Sequence, residues 1–169
     1  IYPNMRINAI PQVGVVGDLL FSPYILEPKS QLVHHTLIAV QQAYLCTDPV
    51  VRIRRQDQDY YLTYKGGGLM VREEYNLPLN KTAYEHLLKK ADGIILSKTR
   101  YLLPLTDTLT IELDVFDPPY QGLWLAEVEF STEEEANAFV PPAWFGEDVT
   151  FSSAYHNSTL SGKAPSQKS

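Results

Sequence analysis

Two glutamates separated by one residue, in Leu123-Trp124-Leu125-Ala126-Glu127-Val128-Glu129-Phe130, have a spacing that could do chemistry. At a period of two, Glu127 and Glu129 share one face of a strand and Ala126, Val128 and Phe130 share the other. Neighbouring carboxylates repel, a cost that a strand avoids unless a cation sits between them, and the cation expected here is a divalent metal. Thr110 to Phe116 repeats the pattern, with Glu112 and Asp114 on one face and Ile111, Leu113 and Val115 on the other. Bases recur in the same way: Arg52 with Arg54, Lys98 with Arg100, Arg72 with Glu74, and Lys65 in parity with Thr63 and Tyr61.

One such pair is an ordinary solvated strand face. Five in one acidic chain predict an α+β protein built on a closed antiparallel barrel, charged faces inward and apolar faces clad by helices. The proposed interior holds six bases and five acids, while fourteen Lys and Arg against twenty Asp and Glu give the whole chain −6. Basic charge is thus concentrated in the lumen, and one or two divalent cations would add to it. Such a lumen suits a small polyanion, because buried cations need a counter-charge.

The 169 residues read as one domain, 1–161, with an atypical first segment at 1–31 and a disordered tail at 162–169. The acidic balance argues against broad nucleic-acid or anionic-membrane binding. No apolar run is long enough to span a bilayer. Cys46, the single cysteine, permits no intrachain disulfide, which fits a cytoplasmic protein. Gly14 to Leu26 is apolar but broken by Asp18 and Pro23, and it lacks the frame of a signal peptide. Monomer and homodimer both remain open.

A strand is expected over His35–Leu45, ended by Thr47-Asp48-Pro49, then a hairpin of Val50–Arg55 and Tyr60–Lys65. Gly66-Gly67-Gly68 turns the chain into a strand over Leu69–Leu77. A helix follows over Lys81–Asp92, with Asn80 as N-cap and Gly93 as C′. Ile94–Leu103, Thr108–Phe116 and Leu123–Phe130 read as strands. Ser131 to Glu134 forms a capping box opening a short helix, and Val149–Leu160 reads as a last strand or two. Arg55 and Glu73 have the outward parity, Tyr60 and Tyr64 pack outside, and Tyr61 faces the lumen. His34, His35 and His156 lack metal-ligand spacing.

In order and spacing, Gln42-Ala43-Tyr44-Leu45, Arg52-Ile53-Arg54, Tyr61-Leu62-Thr63-Tyr64-Lys65-Gly66, Arg72-Glu73-Glu74, Lys98-Thr99-Arg100, Glu112-Leu113-Asp114-Val115-Phe116, Ala126-Glu127-Val128-Glu129-Phe130 and Tyr155-His156-Asn157-Ser158 resemble a CYTH domain of the triphosphate tunnel metalloenzyme superfamily. The resemblance covers about Gln41 to Leu160. It implies an eight-stranded antiparallel tunnel in which Arg52, Arg54, Lys65, Arg72, Lys98 and Arg100 grip a triphosphate. It further implies that Glu112, Asp114, Glu127 and Glu129 hold Mg²⁺ or Mn²⁺, with Glu127, Glu129 and Lys65 as catalytic groups. The implied activity is metal-dependent hydrolysis of inorganic triphosphate or a related linear triphosphate, as in short bacterial members. Thiamine triphosphatases and class IV adenylate cyclases are relatives.

Two places depart from the pattern. The family's first-strand Glu-x-Glu-x-Lys is absent, and the nearest segment, Met5 to Ile10, would set Arg6, Asn8 and Ile10 at those places. Ser152-Ser153-Ala154 stands where the family tends to carry an acid and a base. The alternative expectation is therefore a tunnel that binds polyphosphate or nucleotide with little or no turnover.

Overall fold

The computed structural model describes residues 36–66, 74–142 and 144–162, together with the backbone of 5–9. Among these residues nine strands form one antiparallel sheet: β1 (Met5–Ala9), β2 (Thr36–Thr47), β3 (Val50–Gln56), β4 (Asp59–Lys65), β5 (Glu74–Leu79), β6 (Asp92–Pro104), β7 (Thr110–Phe116), β8 (Trp124–Glu129) and β9 (Glu147–Asp148). Their order is β5-β4-β3-β2-β6-β7-β8-β1-β9. Three short helices accompany them: α1 (Lys81–Leu88), α2 (Glu133–Ala138) and α3 (Asn157–Gly162). The α+β class holds, but among the described residues the sheet does not close into the expected eight-stranded barrel: β5 and β9 lie at opposite ends of the order and do not pair. Pro78 gives β5 no donor at that place, and β9 runs only Glu147–Asp148, so within the described residues the two edges do not share a ladder.

Alternation decides the two faces as expected. On the outer face Ala43 and Ile53 bury with Tyr84 of α1. Further along it, Leu103, Ile111, Leu113, Ala126, Val128 and Phe130 bury with Ala136 of α2. The inner face carries the charges, but one end of it has an apolar floor of Leu96, Phe116, Leu125, Val149 and Leu160. α3 closes that end. Ser161 Oγ donates to Ile94 O at 2.8 Å, and the Tyr120 hydroxyl donates to Leu160 O. Gly93 permits this seat, since its φ is +70° and a Cβ there would lie 2.2 Å from Ser161 O.

Several boundaries move from their expected places. α1 stops at Leu88 rather than Asp92, because Asp92 already pairs with Tyr44 in the sheet, and Gly93 lies in β6 instead of capping the helix. Its N-cap is as expected, with Asn80 Oδ1 accepting from Ala83 N at 2.8 Å. The second cap is shifted by one residue. Thr132 Oγ1, not Ser131, accepts from Glu135 N at 3.2 Å, and the Glu135 carboxylate reaches back to Ser131 N at 3.1 Å. Val149–Leu160 is not strand: Leu160 packs on the floor while Phe151 faces solvent, and the segment coils into a 3₁₀ turn and α3. Of the expected strand Leu69–Leu77, residues 74–77 lie in β5, which continues to Leu79, and 69–73 lie outside the described residues. Residues 10–31 of the first segment, His34 and His35, and 163–169 of the tail also lie outside them, while Gly162 ends α3. Among the described residues no helix is long and apolar enough to cross a membrane.

Candidate functional site

Six strands present the charged side chains, and the structure divides them into two groups. In the first, β3 presents Arg52 and Arg54 to a cleft of about 420 Å³ whose other walls are Gln56, Tyr61, Glu74, Asn76 and Pro78. Lys65 pairs with Glu74 at 2.6 Å at the edge of this group. Asn76 Nδ2 donates to Glu74 Oε1 at 3.1 Å, and Thr63 Oγ1 donates to Asn76 Oδ1 at 2.7 Å, so β4 and β5 are tied across the inner face. Glu74 is held below its usual range: burial would raise it, but the Lys65 hydrogen bond and charge prevail. Burial pushes Lys65 down, and Arg52 adds to the effect.

The second group is an ion network on β6, β7 and β8. Arg100 Nε and Nη2 fork onto Asp114 Oδ1 and Oδ2, both at 2.7 Å. Its Nη1 donates to Glu112, and its Nη2 also reaches Glu127 Oε2 at 3.3 Å. Lys98 Nζ donates to Asp114 Oδ2 and sits 5.0 Å from the Phe116 ring centroid. Asp114 is 0% exposed and Lys98 2%. Burial would raise the Asp114 carboxyl, but Lys98 and Arg100 hold it below the usual range. Burial raises Glu127, against the pull of Arg100.

Among the described residues no ion pair joins Arg52 or Arg54 to an acid. The Nε atoms of both are buried without a hydrogen-bond partner among the described residues, as is Nε2 of Gln42. Burial first, then the charges of Arg52 and Arg100, lower the Arg54 guanidinium to about 10. A cation pressed by other cations is relieved by an anion, so this group is built to receive one.

Of the expected phosphate clamp, the structure thus leaves Arg52 and Arg54 facing the cleft and places Lys65 beside them. It commits Lys98 and Arg100 to acids, while Arg72 lies outside the described residues. Of the expected metal ligands, Glu112, Asp114 and Glu127 come together around Arg100, and Glu129 is exposed at the end of β8. Among the described residues no three of His, Cys, Asp and Glu stand close enough together to hold an ion. The β1 register also differs from expectation. Ile7 lies opposite Glu127 and Met5 opposite Glu129, while Arg6 and Asn8 pair with Val128 and Ala126. The positions beside the inner glutamates are therefore not those of Arg6 and Asn8. The Gln42-Ala43-Tyr44-Leu45 motif entered the family resemblance, but the sequence assigned no site role to Gln42 and Tyr44, which lie opposite Arg54 and Arg52 from β2; their parity with the buried run of that strand was the available signal.

A sheet with helices over its apolar face, and arginines on its inner face that no acid pairs among the described residues, suits a polyanion. The chain belongs to the CYTH domain family, which matches residues 24–162. It is similar to an inorganic triphosphatase of Nitrosomonas europaea, 40% identical over 131 residues that make up 76% of this chain and 87% of that protein. An inorganic triphosphatase of Acetivibrio thermocellus is 34% identical over 116 residues, 67% of this chain and 72% of that one. A crystal structure of an inorganic triphosphatase superposes with a TM-score of 0.67 at 32% identity, covering 95% of each chain.

Proposed function

We propose that this chain hydrolyses inorganic triphosphate or a related linear triphosphate bound on the inner face of the sheet. The observation that carries the reading is the cleft lined by Arg52 and Arg54, whose buried Nε donors have no partner among the described residues. Guanidinium forks match phosphate oxygens two at a time, and two arginines at a spacing of two can hold adjacent phosphates. Their donors would stabilise negative charge collecting on the departing phosphate. Lys65, loosened from Glu74, would add a third positive charge.

Mg²⁺ or Mn²⁺ would need hard oxygen ligands, and Mg²⁺ takes one or two carboxylates together with phosphate oxygens. Asp114 does not fit, since Lys98 and Arg100 fill both its oxygens. Glu112 and Glu127 do fit. They lie opposite each other in the β7–β8 register, and each is engaged by Arg100 through one oxygen only. Glu129, exposed two residues further on, stands apart from these two, so phosphate oxygens and water would complete the ion's shell. When bound, the ion would neutralise charge on the transferred phosphoryl group. Arg100, locked to Asp114, holds the two glutamates in place.

One observation favours the second reading, a polyphosphate-binding protein with little turnover: β1 carries no acid to set beside Glu127 and Glu129. Phosphate release from tripolyphosphate with Mg²⁺ or Mn²⁺ separates the two. Hydrolysis predicts release that Glu127→Gln and Arg54→Met each reduce strongly. No release despite saturable binding would overturn hydrolysis and leave the binding protein.

A further inference from the structure

Beside the two arginines of β3, β2 sets a second row of polar side chains. In the antiparallel register Gln42 lies directly opposite Arg54, and Tyr44 directly opposite Arg52. Both are buried, Gln42 at 0% exposure and Tyr44 at 4%. Gln42 Oε1 accepts from Nη2 of Arg54 at 3.0 Å, and the Tyr44 hydroxyl feels the charge of Arg52 across the register. The amide cannot be turned over, because Nε2 would then meet an arginine donor.

These contacts do little for the strand pairing itself, which the backbone ladder from Val40↔Gln56 to Thr47↔Val50 already supplies. A residue kept only for packing would not carry a buried Nε2 without a partner, since that leaves a donor unsatisfied. What the pair does supply is two neutral acceptors. An acid at either place would cancel the arginine's charge, as Asp114 does for Arg100. An apolar side chain would leave the guanidinium free to turn.

We propose that Gln42 and Tyr44 are positioning residues for the polyanion site. They fix the planes of Arg54 and Arg52 while leaving both positive charges to the ligand, so that less ordering is lost when the anion binds. The proposal rests on the triphosphate reading above.

The test is calorimetric titration of tripolyphosphate, with EDTA present, into the full chain and into Gln42→Met, Tyr44→Phe, Arg54→Met and the Gln42→Met/Arg54→Met double variant. Gln42→Met and Tyr44→Phe should each weaken binding about tenfold, the order expected for one hydrogen bond to a charged group. In the double variant the Gln42 substitution should add almost nothing, because its effect passes through Arg54. Urea midpoints taken alongside identify any loss caused by poor folding, and Tyr44→Phe, which removes a single oxygen, guards against that outcome. Unchanged affinity in both single variants, or losses that add in the double variant, would overturn the positioning role while leaving the triphosphate site standing. Absence of binding to the unaltered chain would overturn the triphosphate reading and this proposal with it.

Discussion

Replacing Asp114 by asparagine removes the negative charge on which the ion network turns. The carboxylate is 0% exposed and accepts from Lys98 and twice from Arg100. Glu112 and Glu127 remain near Arg100, but Lys98 loses the carboxylate it is paired with. Breaking one partner out of a buried ion pair costs about 3–5 kcal/mol, because the other charge is left in a poorly polarisable interior. For a domain of this size that is a fall in Tm of roughly 6–20 °C. Urea unfolding followed by the fluorescence of Trp124 and Trp144 measures it directly. The pH dependence gives an independent check. The Asp114 carboxyl titrates lower in the folded chain than in the unfolded one, so the unfolded state binds the extra proton and stability falls as pH falls. The stabilisation is complete above the unfolded value near 4 and is lost through the lower folded value, and Asp114→Asn should remove that part of the acid limb. Glu85→Gln, which breaks only the exposed Lys81–Glu85 contact at 3.7 Å, should leave the midpoint unchanged. A loss below about 1 kcal/mol for Asp114→Asn, with the acid limb intact, would refute the buried network.

Two further outcomes follow from the same geometry. Glu74→Gln releases Lys65 from its 2.6 Å partner and makes the cleft more positive, so tripolyphosphate affinity without metal should rise about two- to fivefold at low salt and the gain should fade as salt is added; titration at two ionic strengths checks it. Gly93→Ala sets a Cβ against Ser161 O in a backbone conformation with φ +70°, and should cost about 1–3 kcal/mol in urea unfolding by unseating α3; an unchanged midpoint would show that α3 does not close the floor.

Much of the inner face was legible because a strand's period is two and a charge every second residue leaves few alternatives. Arg52 with Arg54, Lys98 with Arg100, and Glu112 with Asp114 fall on the inner face as the alternation predicts, and the hairpin of β3 and β4 forms where the polar turn set it. Alternation reports which face a residue takes, but not which neighbour it meets. That Asp114 would spend both oxygens on Lys98 and Arg100 depends on the β6–β7 register, which pairs Arg100 with Asp114. Closure of the sheet was misjudged for a related reason, since charge on one face says nothing of whether the two edge strands meet, and among the described residues they do not. The C-terminal segment misled because Val149 and Phe151 alternate like a strand, whereas packing of Leu160 against Leu96 and Leu125 decides for a helix. Gln42 was read as part of a motif but given no role in the site, because an uncharged amide on a buried strand looks like filler until Arg54 is seen across from it.

The most direct test of the account is titration of tripolyphosphate into the unaltered chain and into an Arg52→Met/Arg54→Met variant, with EDTA present. The account predicts saturable one-to-one binding that the variant weakens at least tenfold, with the urea midpoint kept or raised because two crowded cations are gone. Equal affinity in both chains, or no heat of binding in either, would contradict the claim that these two arginines are the anion site.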